Sequence, residues 1–304
     1  MPVALSSIRS ELLPGLFDVR GSYEMIPRQW DKVFTTRNSN MAVERSTQMR
    51  FMGLPYLKDE GAATQFDNNA GERFIWNFVH QEIALGYAIT RKAIDDNLYK
   101  AQFNPTNLKL QEAFAQFKEI QGANVLNTAT TYSSQQVGDG QPLLSTSHPY
   151  DGGVWANTPS VQLSLNEASL LSGMTNVRTN FVNEAGLRVL SRARRLVVPP
   201  QLEAVAIRLT KTELRPGTAA NDVNAILTLS GGLPEGFIVL DFLTSAFAWF
   251  LTTNIEGLLL MQRIPYEMDM WVDNITDNLL VKGYERYVFG FNDPRSIFGN
   301  TPSS

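Results

Sequence analysis

The sequence contains no cysteine, and only two of its 304 residues are histidine. The lack of cysteine excludes disulfide bonds, thiol nucleophiles and thiolate metal sites. A formal net charge of −4 argues against a protein that coats nucleic acid, because such a protein needs a large basic surface. No apolar run reaches the roughly 18–20 residues of a membrane-spanning helix. The best candidate, residues 242–255, is diluted by Thr, Ser and Asn, and we interpret it as part of the protein core.

The short motifs of the common enzyme classes are also missing. The sequence has no GxxxxGK[ST] phosphate loop, no GxGxxG, no HExxH and no GxSxG. His80 lies in an aromatic stretch, where we expect a structural or interface role. His148 could pair with Ser145 or Ser147, but neighbouring loop residues rarely form a positioned catalytic triad. We therefore predict that the protein is not an enzyme and has no catalytic residue, cofactor or metal site.

Acidic side chains leave one remote alternative, a metal-independent hydrolase that uses Asp and Glu. Asp95 and Asp96 are adjacent on a predicted helix, so their side chains point about 100° apart and do not share a proton easily. Glu60, Asp67 and Glu72 lie in a polar stretch in which exposed carboxylates are expected. Such a hydrolase would need a pocket with two facing carboxylates about 5–10 Å apart.

A long polar insert separates two apolar flanks in LPYLKDEGAATQFDNNAGERFIWNF, residues 54–78. The flanks, at 49–57 and at about 73–89, have the alternation typical of strands. Both faces of the second run are apolar, whereas a surface hairpin of a monomer normally has one wet face. Either these strands belong to a larger sheet, or they form a protruding arm that packs against other subunits. On the second interpretation, the inter-subunit contacts are Phe51, Leu57, Phe66, Phe74, Trp76 and Phe78.

An arm and a long helix are predicted in the first half of the chain. Residues 1–49 are typical of an extended arm with a short helix at 24–34. Asn104 followed by Pro105 predicts the start of a helix that ends near residue 127 and is about 35 Å long. Its apolar stripe consists of Leu110, Phe114, Phe117 and Ile120.

The second half mixes further helices and strands. A capping box at 164–167 predicts the start of a helix, and residues 194–211 run from a Val-rich strand through two prolines into another helix. The chain is predicted to be mostly β-structure over 265–291. Helices and strands in this order indicate an α+β protein.

One local cluster of basic residues interrupts the otherwise acidic sequence. It could face phosphates of DNA, form salt bridges at an interface, or be a solvated face. The cluster consists of Arg188, Arg192, Arg194 and Arg195.

Several segments, in order, resemble those of the major capsid proteins of tailed bacteriophages, in particular those similar to the major head subunit of phage Mu. The order of the segments, more than any single one, carries the resemblance. They are GYAITRKAIDDNLYK (86–100), DGQPLLSTSHP (139–149) with Gly152, Gly153 and Asn157, RRLVVPPQLEAVAIRL (194–209), Trp249-Phe250-Leu251, and the C-terminal stretch from Arg286-Tyr287 through Gly290-Phe291-Asn292-Asp293-Pro294-Arg295 to Gly299.

The resemblance implies an α+β fold of the Hong Kong 97 capsid type. Its parts would be an N-terminal arm (1–49), an extended loop (50–87), a peripheral domain (88–185) with a spine helix at about 105–127, an axial domain (186–261), and return strands of the peripheral domain with the C-terminus (262–304). The extended loop would lie across a neighbouring subunit, which explains how a two-sided apolar hairpin is covered.

The resemblance also implies a structural role in the virion, with assembly in the cytoplasm of the bacterial host. Copies of the chain would form the hexamers and pentamers of an icosahedral shell around double-stranded phage DNA, which they contact non-specifically. Other expected partners are a portal, a separate scaffolding protein and, in some capsids, a decoration protein, but no membrane. An encapsulin-like compartment shell is the alternative. Lys58 lies in the extended loop, but no motif identifies an acceptor Asn or a catalytic Glu, so we predict no isopeptide cross-link.

Overall fold

The computed structural model describes residues 23–50, 54–64, 66, 71–96, 100–212, 224–228 and 232–302. The strands are β1 (Thr35–Asn38), β2 (Val43–Met49), β3 (Glu72–Val79), β4 (Gln81–Ile89), β5 (His148–Tyr150), β6 (Gly153–Trp155), β7 (Ala193–Val198), β8 (Phe237–Val239), β9 (Trp249–Thr253), β10 (Leu258–Val272), β11 (Leu279–Phe291) and β12 (Ile297–Asn300). The α-helices are α1 (Arg91–Asp95), α2 (Lys100–Asn127), α3 (Glu167–Thr179), α4 (Glu203–Lys211) and α5 (Ala225–Thr228). This mixture confirms the α+β class.

The larger sheet is built around a long antiparallel hairpin of β10 and β11. Its strand order is β1-β10-β11-β4, with β1 parallel to β10 and the other pairs antiparallel. Helix α2 lies on one face, where the ring of Phe114 is 2.7 Å from the position that a Cβ on Gly283 would occupy. Because only a hydrogen fits there, Gly283 lets the aromatic ring of the helix pack directly on the sheet.

A second sheet, of order β12-β9-β7-β8, forms the other main layer. Strand β7 pairs in parallel with β8 and antiparallel with β9, and a 3-10 turn at Pro200–Leu202 leads from it into α4. The predicted strand-to-helix unit is therefore confirmed. The predicted capping box at 164–167 is wrong by two residues, because Asn166 caps α3: its side chain accepts a hydrogen bond from the Ser169 N–H at 2.8 Å. Leu170, Val177 and Phe181 pack on this sheet in one buried cluster with Trp249.

Two strand predictions in the hairpin region need correction. Strand β2 ends at Met49, and residues 54–64 have no regular secondary structure, so the predicted strand at 49–57 is wrong. The run predicted at 73–89 divides at His80 into β3, which pairs with β2, and β4, which pairs with β11. The change of pairing partner divides the run, and local alternation contains no information about that partner.

The helix predictions need correction in their details. Helix α2 begins at Lys100, so Pro105 lies in the second turn of the helix and not at its start. Because proline has no N–H, one backbone hydrogen bond to the first turn is not formed. The predicted helix at 24–34 is two short 3-10 helices, Tyr23–Met25 and Trp30–Lys32. Phe117 is 38% exposed, and Lys118, four residues after Phe114, takes the buried position instead.

The apolar segment at 242–255 contributes to the protein core, as predicted, although Phe247 within it is 42% exposed. Leu243, Ala248, Trp249, Phe250 and Leu251 are all buried. Among the described residues, no helix has the length and apolar character needed to cross a membrane.

Candidate assembly surfaces

The hairpin of β2 and β3 turns one face onto the chain's own core. Trp76 and Phe78 are each 1% exposed, and the ring centroids of Trp76 and Phe291 are 5.0 Å apart. Gly138, at φ +63°, lies against the Trp76 ring, where a Cβ would come within 2.0 Å of a ring atom. The prediction that Trp76 and Phe78 contact another subunit is corrected accordingly, because both are covered within their own subunit.

The segment between β2 and β3 carries exposed apolar side chains. Leu57 is fully exposed, and Phe66 and Leu54 are 85% and 74% exposed. Phe74 is partly buried, with the Arg73 guanidinium 4.8 Å from its ring centroid. Phe51 lies outside the described residues. Leu57 and Phe66 therefore remain candidate contacts to another subunit.

An ion-pair network fixes the base of this hairpin to the turn between β5 and β6. Asp151 binds Arg50 at 2.5 Å and Arg73 at 3.2 Å. The Arg50 N–H also donates to the Gly71 carbonyl at 2.7 Å, which closes the hairpin above β2 and β3. The Gln48 amide donates to Glu184 Oε1 at 2.5 Å. These contacts anchor the point from which the exposed segment leaves the body of the subunit.

Arg295 extends the network to the C-terminal end of the chain. Its guanidinium binds both carboxylate oxygens of Asp293, with Nε–Oδ1 and Nη2–Oδ2 distances of 2.8 Å, and also binds Glu184 Oε1 at 3.1 Å. Burial opposes the charge on Arg295, but Asp293 and Glu184 outweigh it and raise the arginine pKa above its ordinary value. The Asp-Pro-Arg of the C-terminal segment is thus a structural ion pair.

His148 connects the segments that carried the sequence resemblance. Its Nδ1 lies 2.6 Å from Asp139 Oδ2, its Nε2 lies 3.2 Å from Asn157 Oδ1, and its buried ring stacks on Trp155 at 4.8 Å. The Asn157 amide donates to the Pro294 carbonyl at 2.9 Å. Motifs far apart in the sequence therefore meet at one junction, and the role of His148 there is to hold loops together.

The carboxylates at this junction do not form the pocket that a hydrolase would need. Asp139, Glu184 and Asp293 line a cavity of about 20 Å³ together with Arg295. That volume is of the order of a single water molecule. Ser145 donates its hydroxyl hydrogen to Gln141 at 3.0 Å. In the part of the chain that the structure describes, no three His, Cys, Asp or Glu residues are placed to hold a metal ion.

The four arginines of the predicted basic cluster divide into two pairs. Arg194 and Arg195 both bind Glu235, at 2.5 and 3.0 Å, and Arg195 also donates to the Lys32 carbonyl. Arg188 and Arg192 are exposed on either side of the exposed Leu190. The first pair is therefore engaged within the subunit, and contact with DNA or a neighbour stays a prediction for the second pair.

Sequence reasoning missed a buried ion pair beneath α2. Lys118 Nζ lies 3.5 Å from Glu285 Oε1, to which the Tyr23 hydroxyl donates at 2.7 Å. Burial lowers the pKa of Lys118 and raises the pKa of Glu285, and the attraction between them opposes both shifts. The available signal was the spacing of Lys118, one helical turn after Phe114. The pair fastens the first described residues to the helix and the sheet.

Comparison with protein families identifies the chain. A profile of the family described as phage capsid protein matches residues 79–300, which is more than half of the sequence. The chain belongs to this phage capsid protein family. No functionally curated protein matches the sequence significantly.

The capsid protein also has the fold of solved shell subunits. It superposes on the procapsid of bacteriophage JBD30 with a TM-score of 0.53 and 12% identity, covering 99% of this chain and 77% of that one. Superposition on the capsid of an empty GTA particle gives a TM-score of 0.54 and 13% identity, and it covers 88% of this chain and 87% of that one. Superposition on the holo-SrpI encapsulin complex of Synechococcus elongatus gives a TM-score of 0.51 and 12% identity, and it covers 91% of this chain and 88% of that one. At these identities the likeness establishes the fold, which is the Hong Kong 97 capsid type.

Proposed function

We propose that this capsid protein is the major head subunit of a tailed phage. Its copies assemble into the hexamers and pentamers of an icosahedral shell that encloses double-stranded DNA. The observation that carries the proposal is the exposure of the apolar side chains of Leu54, Leu57 and Phe66, in a segment that leaves the subunit from a base anchored at Asp151 and Glu184. In this proposal the arm, extended loop and two domains have the boundaries predicted from the sequence.

Burial of such segments between copies supplies the driving force for assembly. Apolar surface contributes roughly 25 cal/mol per Å² buried, so some hundreds of Å² give several kcal/mol per contact before ordering costs. Repetition around a closed lattice turns modest contacts into a durable container. A net charge of −4 suits a wall that confines DNA without binding it tightly, with Arg188 and Arg192 as candidate local DNA contacts.

Electron microscopy of the purified protein tests this function. The unaltered chain should form closed shells. Replacement of residues 54–66 by a Gly-Ser linker should leave a folded subunit that assembles poorly, because the Arg50–Gly71 bond that closes the hairpin is kept. The matched control replaces only residues 61–64, which retains Leu54, Leu57, Glu60 and Phe66, and it should assemble. Normal shells from the longer replacement would count against the proposal.

The likeness to an encapsulin complex supports a second candidate, a compartment shell that holds a cargo protein. The contents of purified particles separate the two functions, since a phage head holds DNA and a compartment holds protein. Neighbouring genes give an independent answer, because portal, terminase and protease genes indicate a phage. In the phage role, the further partners are the portal, a separate scaffolding protein and, where present, a decoration protein, with assembly in the host cytoplasm.

A further inference from the structure

Strand β4 forms an unprotected edge of the larger sheet. Its pairing with β11 uses one side of the strand, and no strand within the described residues pairs with the other side. Residues 83–89, IALGYAI, contain neither charge nor proline, two of the features that protect natural sheet edges. An edge of this kind is a template for another strand.

A shallow trough lies beside this edge, on the sheet face opposite α2. The strand register places Ala88 beside Leu280 and Leu280 beside Trp271, so that these side chains form one row across the face. Trp271 is partly exposed, and Lys282 Nζ lies 5.4 Å from its ring centroid. The trough has a volume of about 410 Å³. The residues of β4 that line it include the small residues Ala84, Gly86 and Ala88, so an extended backbone can approach this strand closely.

On the basis of the shell function proposed above, we propose that this edge and trough receive residues 54–57 of a second copy, which add to β4 as a parallel strand. Residues 54–57, LPYL, are exposed, have no regular secondary structure and contain no charge. Strand addition at a sheet edge combines main-chain hydrogen bonds with side-chain contacts on alternate positions. The second copy thus supplies the partner that β4 lacks.

One register satisfies both the apolar contacts and the charges. In this register Leu57 of the second copy lies beside Ala88, and the Leu57 side chain extends the row that ends at Trp271. Leu54 of the second copy then lies beside the half-exposed Leu85. Because Pro55 has no N–H, it fits an added edge strand only where its backbone faces away from β4.

The same register pairs opposite charges just beyond the strands. Glu60 follows Leu57 by three residues, and Arg91, the first residue of α1, follows Ala88 by three residues, so both exposed side chains lie just past the ends of the paired strands. An antiparallel strand that keeps the same apolar contacts, with Leu57 beside Leu85 and Leu54 beside Ala88, would instead bring Glu60 beside Glu82. Charge therefore favours the parallel direction.

Engineered cysteines test the contact directly, because the chain has none of its own. Leu57→Cys and Ala88→Cys are made in separate chains, mixed, assembled and oxidised mildly. A heterodimer on a non-reducing gel is expected from the mixture and not from either variant alone. The control mixture of Leu57→Cys with Leu190→Cys, an equally exposed position, should give none. Intact shells without the expected heterodimer would overturn the docking proposal and leave the shell function standing, whereas absence of shells from the unaltered chain would overturn the function itself.

A charge-exchange cycle gives a second, independent measurement of the register. Glu60→Lys and Arg91→Glu should each reduce the assembled fraction, and the two together should restore most of the loss. Because Arg91 also pairs with Asp95 at 3.2 Å, the interaction is taken from the whole cycle and not from the single variant. Additive losses in the double variant would contradict the parallel register.

Discussion

Arg295 carries the counter-charge for two carboxylates, those of Asp293 and Glu184, in a site that is mostly buried. Arg295→Met leaves both carboxylates without a counter-charge, and we therefore expect the free energy of unfolding to fall by about 3–5 kcal/mol. Urea denaturation of the unassembled subunit, followed by tryptophan fluorescence, measures this change. The control Arg192→Met removes an exposed arginine and should change stability by no more than about 0.5 kcal/mol. Equal losses in the two variants would show that the buried network contributes nothing.

His80 should make the folded subunit sensitive to acid. Its Nε2 lies 2.8 Å from the Ser39 hydroxyl, and burial, followed by the charges of Arg286 and Arg263, lowers its pKa, with Glu44 opposing. In the unfolded chain the ordinary pKa of about 6.5 applies. Below that pH the unfolded state binds more protons than the folded state, so stability present at neutral pH is lost as the pH falls toward the folded-state pKa.

The substitution His80→Gln tests this dependence. The fall in unfolding temperature between about pH 7.5 and about pH 5.5 should be smaller in the variant than in the unaltered subunit, because glutamine does not titrate in this range. A comparison of differences removes the contribution of all other groups. An unchanged difference between the two pH values would rule out His80 as the titrating group.

At the scale of elements, the β2–β3 hairpin has an inner half that folds the subunit and an outer half that is left for assembly. Trp76→Ala should lower the free energy of unfolding by about 3–5 kcal/mol, as expected for a large buried aromatic side chain. Leu57→Ala should change subunit stability by less than about 0.5 kcal/mol but should reduce assembly. Chemical denaturation and light scattering measure the two effects separately. Loss of folding stability in Leu57→Ala would place that side chain in the core as well.

At the scale of the whole molecule, the subunit exposes apolar side chains. We propose that neighbouring copies cover them in the assembled shell. Full burial of one such side chain contributes about 1.5–3 kcal/mol. Leu57→Ser together with Phe66→Ser should therefore raise the protein concentration needed for assembly by roughly tenfold or more, since about 1.4 kcal/mol corresponds to a factor of ten. Sedimentation of a dilution series measures this concentration. An unchanged threshold with an intact fold would show that these side chains are not buried on assembly.

The sequence by itself determined the features that depend on local pattern. The end of the long helix at Asn127, the unit of β7 and α4 and the β-rich stretch of β10 and β11 all follow from periodicity and from proline and capping residues. The order of short segments indicated the capsid family, which the family profile shows independently.

Only the tertiary structure decided which part of the chain covers each apolar face. The apolar pattern of β3 predicted that Trp76 avoids water, but it assigned the covering contact to another subunit, whereas Gly138 and Phe291 of the same chain cover the ring. Likewise, no local pattern links Arg295 to Glu184, or Lys118 to Glu285. The physical reason is that periodicity reports which side of an element avoids water, whereas the partner on that side is set by contacts between residues far apart in the chain.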